Sequence, residues 1–318
     1  MKRLLALVLL IPLCGIALAQ PYPSKPVKIV VPFAPGGNLD VTTRIVAEAM
    51  SRDLGQPIVV ENRAGAGGVI GSEAVATSAP DGYTLLTGTT GTTVVSPLLV
   101  PNAPYSRESF AAIGMFAITP LVVEVPAASP FADFKAFVAH VKANPGKVSI
   151  GHSGNGTTNH IAILQLQEAI AGKFNVISYK GSGPALVDLM GGQIDSAFDQ
   201  TSSSLPQIKA GKLRALAVAT KARIADLPQV PTLQEQGLAN FEAVTPSGLF
   251  APAKTPAAIV KTLNAAVNKA LADPAVKQKL ADLGSIVTPM TSEQFDRFLR
   301  EEEVKLKALV KSGVLKSD

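Results

Sequence analysis

The 318-residue sequence is poor in the residues that carry most side-chain chemistry: it has no Trp, four Tyr, three His and one Cys. A single cysteine excludes an internal disulfide and a cysteine-based zinc or iron–sulfur site. Charged residues make up 17% of the chain against 47% hydrophobic residues, a balance that excludes a disordered or coiled-coil protein. Basic residues do not cluster with aromatics, which argues against a dedicated nucleic-acid binder. Without Trp, aromatic stacking on a ligand has few candidates, namely Phe33, Tyr83, Tyr179 and Phe198.

The first 19 residues have the pattern of an export signal. Lys2 and Arg3 precede an apolar run over residues 4–16, and Ala-Leu-Ala follows, so we expect cleavage before Gln20. The run is too short to span a membrane, which needs about 20 residues. Lipidation at Cys14 is the alternative, but bulky Leu13 fits a lipidation site poorly. Removal of the signal leaves 27 basic and 24 acidic residues, a net charge of +3, and no cysteine. We therefore predict an exported, periplasmic protein.

The remaining chain alternates short β-branched runs with segments of helical periodicity. Strand-like runs at residues 27–33 and 58–60 are each followed by a glycine-containing turn and a helical segment, and we expect Gly55 to cap the end of the first helix. A third strand-like run, residues 83–87, leads into a Gly/Thr stretch at residues 88–93. A second set of such units begins at residue 121, and three helices close the chain, the last with Thr291 and Gln294 in capping-box spacing. This alternation predicts an α/β fold with a mostly parallel sheet. Crossovers expected near residues 120–125 and 244–248 divide it into two domains, with a single continuous sheet as the alternative.

Four loops at the predicted carboxyl ends of strands are rich in Gly, Thr, Ser and Asn and contain no Lys or Arg. Ligands of open α/β sheets bind at these ends. The helices expected to begin at Asp40 and His160 would direct unpaired amide groups and positive dipole ends toward the same space. Each such loop alone is an ordinary helix start, but two on different domains favour a binding site for an anion such as a carboxylate. The loops are residues 35–40, 88–93, 153–160 and 198–201.

Patterns for catalysis, metals and cofactors are incomplete. Residues 151–155 approach a nucleophile elbow, but Asn155 stands where that motif requires Gly. Residues 65–71 approach a dinucleotide-binding loop, but Ile70 occupies the position of its third Gly. The three histidines share no metal-ligand spacing, and His140 is expected on the surface. We expect Asp40 to cap or orient its loop. The sequence thus predicts no catalytic residue, no metal ligand and no cofactor.

Several motifs resemble the Bug (TctC-type) solute receptors of tripartite tricarboxylate transporters. They occur in order over essentially the whole chain after the signal. The resemblance is specific for the family and says little about the ligand. It rests on residues 22–40 (which include PFAPGGNLD), 55–68 (GQPIVVENRAGAGG), 80–86, 143–147, 153–160 (SGNGTTNH), 179–181 and 191–195 (GGQID).

This resemblance implies a two-lobed fold of the type II periplasmic binding protein, with two Rossmann-like lobes joined by two crossover strands. We expect one lobe to comprise residues 20–123 and 248–318, and the other residues 124–247. Two loops, one per lobe, would hold a ligand carboxylate through backbone amides, hydroxyls and ordered waters. We name residues 33–40 the first pincer loop and residues 153–159 the second pincer loop. The expected ligand-binding residues are Phe33, Gly36, Gly37, Asn38, Leu39, Asp40, Thr89, Thr92, Ser153, Asn155, Gly156, Thr157, Thr158, Asn159 and Asp199.

The sequence departs from the family pattern in two places. Asn38 and Leu39 stand where a small polar pair is frequent, so that a hydroxyl is missing, and residues 244–248 lack the usual Trp. Both departures concern the distal end of the ligand, which we expect to be a dicarboxylate, an amino acid, an aromatic acid or a nicotinate-like compound.

The resemblance further implies a monomeric, non-enzymatic binding protein that closes about its crossovers and presents the solute to membrane permease subunits. Two other functions remain as alternatives. One is an exported hydrolase of small acids that uses Ser153 and His160. The other is a signalling receptor that uses the same cleft with a sensor partner.

Overall fold

The computed structural model describes residues 22–99 and 102–311. The predicted signal segment, residues 1–19, its cleavage before Gln20 and the lipidation alternative at Cys14 lie outside these ranges. Within them, no helix is both long and apolar enough to cross a bilayer.

In the part of the chain that the structure describes, ten strands form two sheet regions that share the long strand β4. Hydrogen bonds connect them in the order β2-β1-β3-β9-β4-β7-β5-β6, and β8 and β10 also pair with β4. The strands are β1 (Val27–Val31), β2 (Ile58–Asn62), β3 (Thr84–Thr89), β4 (Phe110–Pro126), β5 (Ser149–His152), β6 (Asn175–Ser178), β7 (Ser196–Gln200), β8 (Leu213–Val218), β9 (Val244–Pro252) and β10 (Ile286–Val287).

Helices follow most of the strands, as the predicted alternation requires. The second-lobe helix predicted to begin at His160 begins two residues earlier, at Thr158, so part of the predicted loop is already helical. The helices are α1 (Asn38–Leu54), α2 (Val69–Ala76), α3 (Ser96–Leu99), α4 (Phe134–Ala143), α5 (Thr158–Ala169), α6 (Ser182–Met190), α7 (Thr201–Lys209), α8 (Ala257–Ala272), α9 (Pro274–Asp282) and α10 (Ser292–Lys311).

Strand β4 crosses from one half of the molecule to the other. Its residues 110–120 pair with β9, and its residues 121–126 pair with β7 and β8. We call the half containing β1–β3, β9 and β10 the first lobe, and the half containing β5–β8 the second lobe. The chain returns through β9, so two adjacent strands join the lobes.

The prediction of a mostly parallel sheet is wrong at the centre of the molecule. Parallel pairing occurs between β1 and its neighbours β2 and β3, and between β5 and its neighbours β6 and β7. Strands β4 and β9 pair antiparallel to each other and to their other neighbours. The return of the chain from the second lobe imposes this direction, whereas alternation of strands and helices indicates only the outer strands.

Each sheet region is covered by apolar clusters on both faces, which explains the nearly continuous hydrophobic runs. Consecutive strand residues point to opposite faces. In the first lobe, Ile29 and Leu249 pack with α1, α8 and α9, while Val30 and Phe250 pack with α2 and α10. The second lobe repeats this arrangement, with Phe137 of α4 fully buried in its main cluster. Strands buried on both faces favour apolar residues at every position.

The predicted helix-end signals are confirmed at two positions. Gly55 ends α1 with φ of +64°, the left-handed conformation that glycine adopts without steric cost. At the start of α10, the Thr291 amide donates to Gln294 Oε1 at 2.9 Å, and the Gln294 amide donates to Thr291 Oγ1 at 3.2 Å. This reciprocal pair is the capping box predicted from spacing.

We expect Thr291→Ala to lower the free energy of unfolding by about 1 kcal/mol, because a capping hydroxyl is lost from the start of α10. Thr262→Ala is the matched control, since Thr262 is exposed inside α8 and its hydroxyl only donates to the carbonyl four residues earlier. The control should stay within about 0.5 kcal/mol of the parent. Urea denaturation followed by circular dichroism measures both, and equal effects would contradict the assignment.

Candidate functional site

A cavity of about 30 Å³ lies between the two lobes, at the carboxyl ends of their strands. Its wall combines Phe33 and Leu39 with hydroxyl and amide side chains. Among residues 22–99 and 102–311, Asp40 is the one charged residue that lines it, and no Lys or Arg does. The lining residues are Phe33, Gly37, Asn38, Leu39, Asp40, Thr89, Ser153, Thr157, Thr158, Asn159, Ser182, Gln200 and Thr245.

The starts of two helices from different lobes contribute to this wall. Gly37 is the N-cap residue of α1 and has no side chain that could accept from the helix amides. Thr157 is the N-cap residue of α5, and its side chain accepts from the His160 amide. The first amide groups of any α-helix have no partner within the helix, and they carry the positive end of its dipole. Two helix starts on one cavity can therefore bind an anion without a cationic side chain.

Asp40 holds the first pincer loop in shape. Its Oδ2 accepts a hydrogen bond from the Gly36 amide at 3.0 Å, and its Oδ1 accepts from Arg44 Nε at 2.9 Å and Asn62 Nδ2 at 3.0 Å. Burial acts to raise the pKa of Asp40, but the hydrogen bonds from Arg44, Gly36 and Asn62 outweigh burial and lower the pKa below its usual value. The orienting role expected for Asp40 agrees with these contacts.

Two stacked histidines hold the second pincer loop. The rings of His152 and His160 lie 4.7 Å apart at 22°. The Gly154 amide donates to His152 Nδ1 at 3.1 Å, and the Gly156 amide donates to His160 Nδ1 at 3.2 Å. Each Nδ1 must be unprotonated to accept, so each ring carries its proton on Nε2 when neutral. Burial, and then the neighbouring His160, lower the pKa of His152 to about 4.

A buried polar network lies behind the cavity wall. Asn159 Nδ2 donates to Asp199 Oδ1 at 2.9 Å, Ser182 Oγ donates to the same oxygen, and Ser203 Oγ donates to Asp199 Oδ2 at 2.5 Å. Gln200 Nε2 donates to Asn159 Oδ1 at 2.8 Å. These bonds orient Asn159, Ser182 and Gln200, all of which line the cavity.

A second carboxyl group lies still deeper. Ser204 Oγ donates to Glu124 Oε1 at 2.7 Å and approaches Asp199 Oδ2 at 3.3 Å. Burial, and then the charge of Asp199, raise the pKa of Glu124 well above its usual value. Burial also raises the pKa of Asp199, but hydrogen bonds from Ser182, Ser203, the Gln200 backbone and Asn159 oppose that shift. Burial therefore raises the pKa of Glu124, which has one such donor, more than the pKa of Asp199.

Ten of the fifteen residues selected from the sequence line the cavity. The other five, which are Gly36, Thr92, Asn155, Gly156 and Asp199, are not among the lining residues. Four of these hold a neighbour in place: Gly36 and Gly156 through their amides, Asp199 through Asn159, and Thr92 through a hydrogen bond that it accepts from the Thr89 amide at 2.9 Å. Of the four aromatic candidates for stacking, the cavity includes Phe33 alone.

Three lining residues were not selected from the sequence: Ser182, Gln200 and Thr245. Ser182 follows strand β6 and opens α6, so the rule that located the other loops also applies to it. Gln200 belongs to a selected loop, where only Asp199 was chosen. Thr245 lies on strand β9. The family resemblance placed its segment, residues 244–248, near the distal end of the ligand, but no residue of that segment was chosen.

The geometry does not assemble the nucleophile of the alternative hydrolase. Ser153 Oγ donates its single proton to Asn159 Oδ1 at 2.8 Å, and His160 Nδ1 accepts from the Gly156 amide. Ser153 therefore directs its proton at an amide oxygen and not at a ring nitrogen. Among residues 22–99 and 102–311, no His, Cys, Asp or Glu side chains form a group of three that could hold a metal ion.

A family model and the similar proteins found by sequence comparison agree on one family. The model for the tripartite tricarboxylate transporter family receptor matches residues 42–315. A UPF0065 protein encoded between tcbD and tcbE in Pseudomonas sp. (strain P51) is 41% identical over 86% of this chain and 84% of its own. Protein BugT of Bordetella pertussis is 38% identical over 95% of this chain and 94% of its own.

Solved structures of similar proteins have the same fold. The periplasmic binding protein BugD superimposes with a TM-score of 0.89 at 35% identity, covering 93% of this chain and all of its own. MatC from Rhodopseudomonas palustris, solved with bound malate, has a TM-score of 0.86 at 33% identity over 91% of this chain and all of its own. Another R. palustris protein, solved with adipate, has a TM-score of 0.89 at 28% identity, again over 93% and 100%.

We expect His152 to make stability depend on pH. The pKa of His152 falls from 6.5 in the unfolded chain to about 4 in the fold, so the unfolded chain binds more protons between these values. Stability contributed by the neutral ring is complete above pH 6.5 and decreases as the pH falls toward 4, by about 3 kcal/mol in all.

Urea denaturation at several pH values measures this contribution as the difference between the parent and His152→Gln. His140→Gln is the control, because His140 is exposed on α4. The prediction would be contradicted if the free energy of unfolding changed with pH by the same amount in the parent and in His152→Gln.

Proposed function

The chain belongs to the tripartite tricarboxylate transporter receptor family, and we propose that it is an exported, periplasmic solute-binding protein for a small carboxylate. In this proposal the ligand binds in the interlobe cleft between the two pincer loops. The loaded protein then presents it to the membrane permease subunits of a tripartite tricarboxylate-type transporter. It acts as a monomer and does not convert its ligand.

The observation that carries the proposal is the joint placement of the α1 and α5 starts on a cavity without cationic side chains. Backbone amides and hydroxyls suit a carboxylate, which accepts several hydrogen bonds at once. The relatives solved with malate and adipate support a carboxylate ligand for this chain as well.

We propose all fifteen residues selected from the sequence as the binding site, with ten in the wall and five supporting it. Ser182, Gln200 and Thr245 complete the wall. We also propose lobe boundaries at residues 123/124 and 247/248, where β4 and β9 pass from one lobe to the other. Closure would then be a rotation about these two strands, which adds donors from the second lobe to those of the first.

Two alternatives use the same cleft. An exported hydrolase requires turnover of the bound acid, lost in Ser153→Ala, and the hydrogen bond from Ser153 to Asn159 argues against it. A signalling receptor would bind the same ligand but dock on a sensor, so only the identity of the membrane partner separates it from a transport receptor.

We expect small carboxylates to raise the melting temperature of the processed protein, residues 20–318, and their methyl esters to have no effect. Esterification removes the negative charge and one acceptor oxygen at the helix starts. The panel comprises malate, adipate, amino acids, aromatic acids and nicotinate, each paired with its ester in a thermal-shift assay. Equal shifts of the melting temperature by an acid and its ester would exclude the proposed binding of the carboxylate by the two helix starts.

The amide of Thr158 can be removed without breaking α5. Thr158 is the first helical residue, a position that tolerates proline, and Thr157 before it is extended (φ −74°, ψ 163°), as a residue preceding proline prefers. Thr158→Pro deletes the N–H and the hydroxyl, whereas Thr158→Ala deletes the hydroxyl alone.

We expect Thr158→Pro to weaken binding of a panel carboxylate about 10- to 100-fold, the value of one hydrogen bond to a charged group. Thr158→Ala should lose a smaller factor, and calorimetry measures both. The same affinity in the two variants would mean that this amide does not contact the ligand.

A further inference from the structure

Each pincer loop is covered by a glycine turn from the opposite lobe. The first pincer loop meets residues 181–183 of the second lobe, which we call the closing turn. The second pincer loop meets Gly67 of the first lobe. Neither residues 181–183 nor Gly67 belong to the set of residues selected for ligand binding, and both contacts depend on the absence of a side chain.

The contact of the closing turn joins backbone to backbone. The Ala34 amide donates to the Lys180 carbonyl oxygen at 2.8 Å. A Cβ atom built on Gly183 would lie 2.1 Å from the Pro35 carbonyl oxygen, and one on Gly181 would lie 3.0 Å from the Ala34 nitrogen. Real Cβ atoms show essentially no contacts below 3.0 Å, so even alanine at position 183 requires the closing turn or the first pincer loop to move away from the other.

The contact at Gly67 has the same character. A Cβ on Gly67 would lie 2.1 Å from the Asn155 carbonyl oxygen. Gly67 has φ of +62°, so a substitution there also strains its own turn. Gly183 has no such constraint, because it lies in the first turn of α6 with an ordinary helical backbone. Alanine is a better helix former than glycine, so at position 183 the demands of the helix and of the interlobe contact oppose each other.

The closing turn also reaches the cavity. Ser182 lines the cavity, and its hydroxyl donates a hydrogen bond to Asp199 Oδ1. A Cβ on Gly37 of the first pincer loop would lie 3.3 Å from Ser182 Cβ. The same turn therefore completes the cavity wall and makes the contact between the lobes.

We propose that the closing turn is a third arm of the binding site, which packs on the first pincer loop only when the lobes close, and that Gly183 is a positioning residue whose lack of a side chain permits this closure. The proposal rests on the proposed function. Ligand retention depends on closure because the carboxylate exchanges with solvent while the third arm is withdrawn. The apparent dissociation constant rises in inverse proportion to the closed fraction.

The test compares Gly183→Ala with Gly191→Ala, which makes the same chemical change at the other end of α6, away from the cleft. Spin labels on Lys142→Cys of α4 and Lys261→Cys of α8, both exposed, report the distance between the lobes. The processed protein contains no other cysteine. Distances are measured without ligand and with a saturating carboxylate from the panel.

We expect the parent and Gly191→Ala to reach the short, closed distance, and Gly183→Ala to remain at the long one. Carboxylate affinity should fall about 10-fold or more in Gly183→Ala. Its melting temperature without ligand should be equal to or above that of the parent, because the open form gains a better helix former. This combination separates blocked closure from damage to the fold, which would lower the melting temperature.

Closure of Gly183→Ala to the same extent as the parent would overturn the inference. Absence of the closed distance from the parent under every condition would also overturn it, since the contact would then not form in solution. Failure of the proposed function has a different signature: no panel carboxylate binds the parent. In that case the distances without ligand still decide whether alanine at position 183 removes a closed population.

Discussion

The cleft depends on backbone amide groups that must be left uncovered and yet held still. Glycines and helix starts leave such groups uncovered, but a glycine-rich loop has no side chains of its own to fix its shape. Asp40 supplies the missing restraint for the first pincer loop by accepting the Gly36 amide. His152 and His160 supply it for the second by accepting the Gly154 and Gly156 amides. The few ionisable side chains near the cavity thus shape its backbone.

The polar network behind the wall follows from the same requirement. A buried carboxylate is costly unless hydrogen-bonded donors surround it. Asp199 has those donors in Asn159, Ser182 and Ser203, whereas burial and the charge of Asp199 raise the pKa of Glu124 well above its usual value. Because these hydrogen bonds are directed at Asp199, they fix the orientation of Asn159 and Ser182 in the cavity wall. In the proposed function, backbone amides and hydroxyls select the ligand.

Much of this arrangement is predictable from the sequence because its signals are local. The capping box at Thr291, the C-cap at Gly55 and the family motifs depend on neighbours within a few positions, and the structure confirms them. The antiparallel centre was missed because an apolar strand such as β4 does not specify the direction of its partner. Ser182 follows β6 and opens α6, so the rule used for the other loops also applies to it, but its approach to Gly37 exists only across the interface between the lobes.

The sequence by itself determined the α/β alternation, the family and the loops that hold most of the cavity wall, since each follows from composition or spacing along the chain. The tertiary structure alone decided which of those residues face the cavity and which support it. It also decided that Gly183 meets Pro35 and that Asp199 gathers donors from three separate segments. The physical reason is that contacts between distant segments depend on how β4 and β9 bring the lobes together, and no local pattern encodes that placement.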